Sequence, residues 1–361
     1  MLQSFYFIVG LTGLVLGAEL LVRGATKLAL SWRISPLVIG LTVVAFGTSA
    51  PEMAVSTGAA LSGQTDLALG NVIGSNTFNV LFILGVSALI TPLFVHTQLI
   101  RQEVPIMVGA SLLLLLVAQD GRIGVADSAM LMALMIAYTV FLVRQSRSQP
   151  QAAVDEFAAE MPDLGAGRWD SRWPGQVALI VAGLVLLVAG ADALVDAAVH
   201  FARSFGISEL VIGLTIVAAG TSLPEVAASV TAALKGERDI AVGNVVGSCV
   251  FNILACVGLA GLAAAAAGVG DLAVPASALR FDLWVMLAVA VACLPVFISG
   301  GEIARWEGGL FLAYYASYVA YLLLAAQQHA ALPAFSATML SFVLPLTVLT
   351  LIVGVLRRKP D

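Results

Sequence analysis

Eleven apolar runs follow one another along the chain, near residues 4–24, 35–61, 67–91, 103–119, 124–143, 175–198, 208–234, 239–267, 279–298, 307–326 and 334–356. A helix needs about 20 such residues to cross the hydrocarbon layer of a bilayer, so each run predicts a membrane-spanning helix and the whole an all-α membrane protein. The first run starts at Leu2 with no basic residue before it and is interrupted by Glu19 without an A-x-A cleavage pattern. It reads as a first membrane helix and not as a secretory signal. The rhythm breaks once, at roughly 144–173, where Arg144, Arg147, Arg168 and Arg172 mix with Asp155, Glu156, Glu160, Asp163 and Asp170. That stretch predicts a solvated linker between a half at 1–143 and a half at 174–326, with an extra C-terminal helix and a basic tail in 327–361.

Composition agrees with lipid as the main solvent: 60% of residues are hydrophobic and 11% charged, against about 25% charged in an ordinary soluble domain. No basic stripe with interleaved aromatics is present to follow a phosphate backbone, which argues against nucleic acid as a partner. Cys249, Cys256 and Cys293 lie in apolar runs, and His96, His200 and His329 are scattered near run ends. Neither type has the spacing of a soft-metal site or a disulfide framework. The linker lacks the D-x-D-x-D-G pattern of a calcium loop, and no G-x-x-x-x-G-K-[ST] loop marks an ATP-driven pump. With the N-terminus outside, 14 of the 17 Lys and Arg fall on the inner side, leaving Arg122, Arg203 and Arg280 outside. Because cytoplasmic loops are enriched in Lys and Arg, an inner-membrane protein with periplasmic N-terminus, cytoplasmic linker and cytoplasmic C-terminus is expected.

Sliding the sequence against itself by 173 residues aligns Val38–Gly85 with Val211–Gly258 without gaps, 29 of 48 positions being identical. The strongest matches are GLTVVAFGTSAPE with GLTIVAAGTSLPE and ALGNVIGSNTFN with AVGNVVGSCVFN. These fall on the second and third runs and on the seventh and eighth. Corresponding runs are five apart, an odd number, so the second copy crosses the bilayer in the opposite sense. Two inverted five-helix repeats around a pseudo-two-fold axis are a transporter's architecture.

Each repeat carries one carboxylate in mid-run, Glu52 and Glu225. A charge at that depth costs about 2.5–3.5 kcal/mol on insertion scales and calls for a partner or a wet cavity. Lys and Arg sit near run ends, so the natural counter-charge is a cation that comes and goes. Pro51 and Pro224 precede the acids, and proline removes an N–H and crowds the carbonyl four residues back, here that of Gly47 or Gly220. The helix is expected to open there and expose oxygen ligands. Thr48 and Ser49 stand four and three residues before Glu52, as Thr221 and Ser222 do before Glu225, which on a continuous helix puts them on the acid's own face. Ser75 and Asn79 are four apart in the third run, Ser248 and Asn252 four apart in the eighth. The sum is an all-oxygen cage with two formal charges, suited to a hard cation such as calcium or sodium. One calcium or two monovalent ions would neutralise it.

Rival readings attach to several residues. Glu52 and Glu225 could be protonated structural acids, and Ser75 and Ser248 could bond back to their own helix carbonyls. The pairs Gly70/Gly74 and Gly243/Gly247 predict close helix packing rather than ligands. Glu19 and Asp192 correspond in the repeat, and Glu19 is expected to pair locally with Arg23.

The paired GTSAPE/GNVIGSNTFN and GTSLPE/GNVVGSCVFN segments resemble the two alpha repeats of the calcium/cation antiporter superfamily, in particular its bacterial and archaeal sodium/calcium exchanger branch. The resemblance spans roughly residues 1–326. It implies a ten-helix core with ion sites between the second, third, seventh and eighth helices, across which the first and sixth slide. It further implies that Glu52 and Glu225 are central calcium ligands, that Thr48, Ser49, Thr221, Ser222, Ser75 and Ser248 are flanking sodium and calcium ligands, and that Asn79 and Asn252 hold the middle positions. Some relatives, including potassium-dependent exchangers, carry aspartate where this chain has Asn252. Cation/proton exchangers of the superfamily lack the GTSxPE form, which points to sodium as the driving ion. The expected activity is calcium/sodium antiport, with proton-coupled calcium antiport and a calcium channel as alternatives. No enzymatic chemistry, cofactor or obligate protein partner is expected, only the two ions and the bilayer.

Overall fold

The computed structural model describes residues 2–32, 34–148, 172–205 and 218–356. The expectations for residues 208–217 of the seventh run, for 149–171 of the linker and for the basic tail at 357–361 lie outside the described residues. Among the described residues nine helices are long and apolar enough to span a membrane, and a bent pair supplies a tenth. We label them α1 (Leu2–Trp32), the bent pair α2 (Pro36–Thr48) and α3 (Ala50–Leu61), α4 (Thr65–Ile90), α5 (Leu99–Asp120), α6 (Val125–Ser146) and α7 (Trp173–Ser204). They are followed by the shorter α8 (Leu223–Leu234), which ends the seventh run, and then by α9 (Arg238–Ala266), α10 (Ala278–Gly300), α11 (Arg305–Ala326) and α12 (Leu332–Val353).

The helices are ordered by burial. In α9, 89% of the span is buried and in α4, 72%, while α12 has none. α4 and α9 therefore form the centre, and α12 stands on the lipid side, held to the rest by packing against α10 and by the Tyr314 hydroxyl of α11, which donates to Thr347 Oγ1 at 2.6 Å. α1 and α7 have 31 and 32 residues, longer than the runs that predicted them. At about 1.5 Å per residue each exceeds the roughly 30 Å hydrocarbon layer. Their polar ends continue the helix instead of stopping it, and Lys27 is buried there.

These two long helices run antiparallel in close contact, and glycine makes the contact. A Cβ on Gly10 would lie 2.8 Å from the Gly190 carbonyl oxygen, one on Gly17 2.8 Å from that of Gly183, and one on Gly183 2.6 Å from the Leu21 nitrogen. The repeat's offset maps Gly10 to Gly183 and Gly17 to Gly190, so the contacts are copies of one another about the two-fold. Backbone approach of this kind is how helices associate where lipid removes the hydrophobic drive. α1 also packs along α8, whereas the equivalent contact of α7 with α3 is scarcely made. On the packed side Lys235 forms an ion pair with Glu19 of α1, a partner across the fold that the sequence did not suggest.

Of the two glycine pairs expected to pack, Gly243 and Gly247 do so. A Cβ on them would meet the Leu37 carbonyl at 3.0 Å and the Leu41 carbonyl at 2.8 Å, which seats α2 on α9. Gly70 and Gly74 have open space beside them. The repeat places residues 210 and 214 where Leu37 and Leu41 stand, and those lie outside the described residues. Two short antiparallel pairings, not legible in the apolar pattern, tie the halves at their loops: β1 (Leu93–Phe94) with β4 (Glu302–Ile303), and β2 (Arg122–Ile123) with β3 (Leu272–Ala273).

This packing has a direct test. Gly183→Val puts side-chain atoms into the α1 backbone and should abolish the folded, monodisperse protein in detergent. Gly58→Ala, at an exposed helical site with nothing within 4 Å, should change stability by no more than about 1 kcal/mol. Equal melting temperatures for the two variants would contradict the close approach of α1 and α7.

Candidate cation site

The bent pair breaks where the proline predicted. α2 ends at Thr48, α3 starts at Ala50, and the two are inclined by 44° at Ser49. Ser49 has φ −81° and ψ 4°, and its repeat mate Ser222 has φ −88° and ψ 6°. Pro51 and Pro224 sit in the first turn of the helix that follows, where a missing N–H costs least. Glu52 and Glu225 share that first turn and are fully buried. The unpaired N–H groups of a helix start make this a favourable place for a carboxylate.

The break re-aims the hydroxyls. The spacing of Ser49 and Ser222 put each on the face of its own acid, but each instead serves the acid of the other repeat. Ser49 Oγ donates to Glu225 Oε1 at 3.0 Å, and Ser222 Oγ to Glu52 Oε1 at 2.8 Å. Thr48 and Thr221 turn to the opposite repeat as well, donating to Asn244 Oδ1 at 3.1 Å and to Asn71 Oδ1 at 3.4 Å. The two half-sites are therefore one site.

Asn71 and Asn244 were not singled out from the sequence, although the repeat conserves both between its copies. Each closes its own half-site. Asn71 Nδ2 donates to Ser56 Oγ at 3.0 Å and to the Glu52 carbonyl at 3.5 Å, and Asn244 Nδ2 to Ser229 Oγ at 2.9 Å and the Glu225 carbonyl at 3.5 Å. Through these amides α4 and α9 hold the turns that carry the acids.

Ser75, Asn79, Ser248 and Asn252 are buried beside them on α4 and α9. Asn79 and Asn252 each begin a wider π-helical stretch, Asn79–Leu84 and Asn252–Cys256, a local form common at functional sites. Ser75 Oγ lies within hydrogen-bond distance of Ser222 Oγ, at 3.2 Å, and Ser248 Oγ has no partner. Neither bonds back to a helix carbonyl. Glu52 Oε2, Glu225 Oε2 and both polar atoms of the Asn79 amide are also buried without a hydrogen-bond partner. An orphaned buried polar atom costs about 1–3 kcal/mol, more when charged. Apart from Asn79 Nδ2, these orphans are oxygens, the donor set of a hard cation. Among the described residues no basic side chain forms an ion pair with either acid, and no cluster of three or more His, Cys, Asp or Glu offers a competing metal site.

Comparison with known proteins gives the family and the fold. Residues 2–144 and 175–324 match the family described as sodium/calcium exchanger protein. The chain belongs to the sodium/calcium exchanger family. The sodium/calcium exchanger MaX1 of Methanosarcina acetivorans is 33% identical over 344 residues, covering 87% of this chain and 97% of that protein. The inner membrane protein YrbG of Escherichia coli (strain K12) is 40% identical over 266 residues, 73% of this chain and 80% of its own length. Among solved structures, the sodium-calcium exchanger NCX_Mj superposes with a TM-score of 0.74 at 29% identity, covering 88% of this chain and 98% of that one. Membership makes the chain a multi-pass membrane antiporter of cations with the ten-helix exchanger fold, to which α12 is an addition. It is a transporter and not an enzyme, and ions are its substrates rather than its cofactors.

The amide clamps predict a stability effect separable from transport. Asn71→Ala and Asn244→Ala should each lower stability by about 1–3 kcal/mol, since each strands the hydroxyl and carbonyl it serves. Thermal melting in detergent would check this. An unchanged midpoint in both variants would mean that the amides do not hold the acid-bearing turns.

Proposed function

We propose that the chain exchanges calcium for sodium across the inner membrane, with both ions using one cage in alternation. Glu52 and Glu225 supply the charge. Ser248, Ser75, Asn79 and Asn252 line the cage from α4 and α9. Thr48, Ser49, Thr221 and Ser222 provide the hydroxyls at the helix breaks, alongside the carbonyl freed by each proline. The observation that carries the reading is the pair of Oε2 atoms, one from each repeat, buried without a proton donor while each sister Oε1 is held by a serine of the other repeat. One calcium or two sodium ions balance two carboxylates, so binding of either displaces the other. Each form is then neutral overall and can cross the cycle without carrying an uncompensated charge through lipid.

Alternating access follows from the same elements. The glycine contacts bind α1 to α7, so the two move as one body over the cage. α1 lies along α8 on one side while α7 leaves α3 nearly free on the other, an arrangement closed at one end and open at the other. Inverted repeats make the opposite arrangement equally available. The Lys and Arg distribution supports a periplasmic N-terminus and a cytoplasmic linker and C-terminus, with the closed end carrying Lys235 inside. The description of YrbG as an inner membrane protein supports the same location.

Reconstitution into proteoliposomes decides the driving ion. Labelled calcium should enter vesicles preloaded with sodium and stop when the sodium gradient is removed, whatever the pH gradient. Glu52→Gln and Glu225→Gln should each reduce exchange at least a hundredfold while the protein still inserts and purifies as a monodisperse species. Uptake driven by a pH gradient alone would replace sodium by protons in this reading. Calcium flux with no counter-ion on the far side would make the protein a channel.

A further inference from the structure

Asn79 and Asn252 are identical residues at equivalent places in the two repeats, yet their surroundings differ. Asn252 is held at both ends: its Nδ2 donates to Asn76 Oδ1 at 3.1 Å, and its Oδ1 receives the Cys256 thiol at 3.6 Å. Asn79 is equally buried, and neither its Oδ1 nor its Nδ2 has a hydrogen-bond partner. The difference traces to positions at which the two copies of the repeat differ. The residue facing Asn252 is Asn76, whose repeat mate is Cys249, and the thiol on Asn252 comes from Cys256, whose mate is Ile83. An asparagine carbonyl accepts an amide N–H well, a thiol sulfur accepts poorly, and an isoleucine offers nothing.

Asn76 and Cys249 themselves meet where α4 crosses α9. Asn76 Nδ2 donates to the Cys249 carbonyl at 3.2 Å and to Met286 Sδ at 3.6 Å, and Cys249 Sγ donates to the Asn76 carbonyl at 3.8 Å. Each thus bonds to the other's backbone in the same two-fold manner, and only Asn76 has a further acceptor left over. That acceptor takes up Asn252.

We infer that Asn76 and Cys249 are positioning residues that select which of the two symmetric amides serves the transported cation, withdrawing Asn252 and leaving Asn79 free. This rests on the cage proposed above. The cage is then chemically lopsided although its backbone is two-fold: it offers two carboxylates and an Asn79 amide that faces only the weak Cys249 thiol, with Asn252 pinned by a neighbour that touches no ion. A calcium ion seated between the acids takes its amide oxygen from α4, and the strength of that ligand is set from the α4/α9 crossing.

The test exchanges the two residues. Cys249→Asn gives Asn79 an acceptor and should raise the calcium KM by about five- to tenfold relative to Cys249→Ala, with Vmax changed less than twofold, the scale of one neutral hydrogen bond. In the wild-type background Asn79→Ala should raise calcium KM at least five times more than Asn252→Ala does. In the reciprocal double variant Asn76→Cys/Cys249→Asn that order should reverse, with Asn252→Ala now the more harmful change. A merely structural role for residues 76 and 249 would lower melting temperature without reversing the order. Should the exchanged protein not fold, the two alanine variants in the wild-type background still decide, because both leave the bonds between Asn76 and Cys249 in place. Equal effects of Asn79→Ala and Asn252→Ala, or an unreversed order after the exchange, would overturn the inference. If Glu52→Gln and Glu225→Gln also left exchange intact, the cage itself would be wrong. If the glutamates were required and the two asparagines equivalent, only this inference would fall.

Discussion

Two buried carboxylates, with no basic side chain among the described residues paired to them, set the terms for everything else in this molecule. A carboxylate in hydrocarbon is tolerable only when its charge is matched and its lone pairs are used. The fold meets half of that demand with its own groups, because each Oε1 receives a serine hydroxyl and each acid sits at a helix start. In the exchange proposed above, a passing cation meets the other half. An antiporter needs that incompleteness. A fully satisfied pair would be inert, and a pair without any support would be too costly to bury.

Crossing over between repeats gives the site its unity. Ser49 and Thr48 belong to the first half but bond to Glu225 and Asn244 of the second, and Ser222 and Thr221 return the arrangement. A cation that draws on both acids therefore pulls on both halves at once. Around this centre, α1 and α7 are joined through glycine at backbone distance, so they can shift over the cage as one body. The central helices α4 and α9 are held by side chains that interlock, including the amides of Asn71 and Asn244. The centre is held by polar side-chain clamps, whereas α1 and α7 meet chiefly through glycine at backbone distance.

Duplication makes the backbone symmetric, but ion chemistry need not follow it. The repeat preserves the acids, the serines, the prolines and the clamp asparagines, and varies a few positions that touch those residues from behind. In the inference drawn above, such positions need not be ligands themselves to decide how a ligand is presented. Asn76, Cys249 and Cys256 are of this kind.

Much of this was legible in the sequence, for identifiable reasons. Apolar runs of membrane length place the helices, because lipid demands continuous apolar segments, and a gapless offset of 173 residues exposes the inverted repeat and with it Glu52, Glu225 and their attendant oxygens. Proline before each acid locates the breaks, since a missing N–H has a local consequence. What the tertiary structure alone decided are relations that helical spacing cannot carry. The break at Ser49 turns its hydroxyl toward the opposite repeat, Asn71 and Asn244 become clamps by virtue of which helix lies opposite, and Glu19 finds Lys235 across the fold. The burial ranking of α4 and α9 above α12 likewise depends on neighbours rather than on hydropathy, which is high in all three. Sequence patterns report each helix against its solvent. Only packing tells which oxygen has a partner and which is left without one.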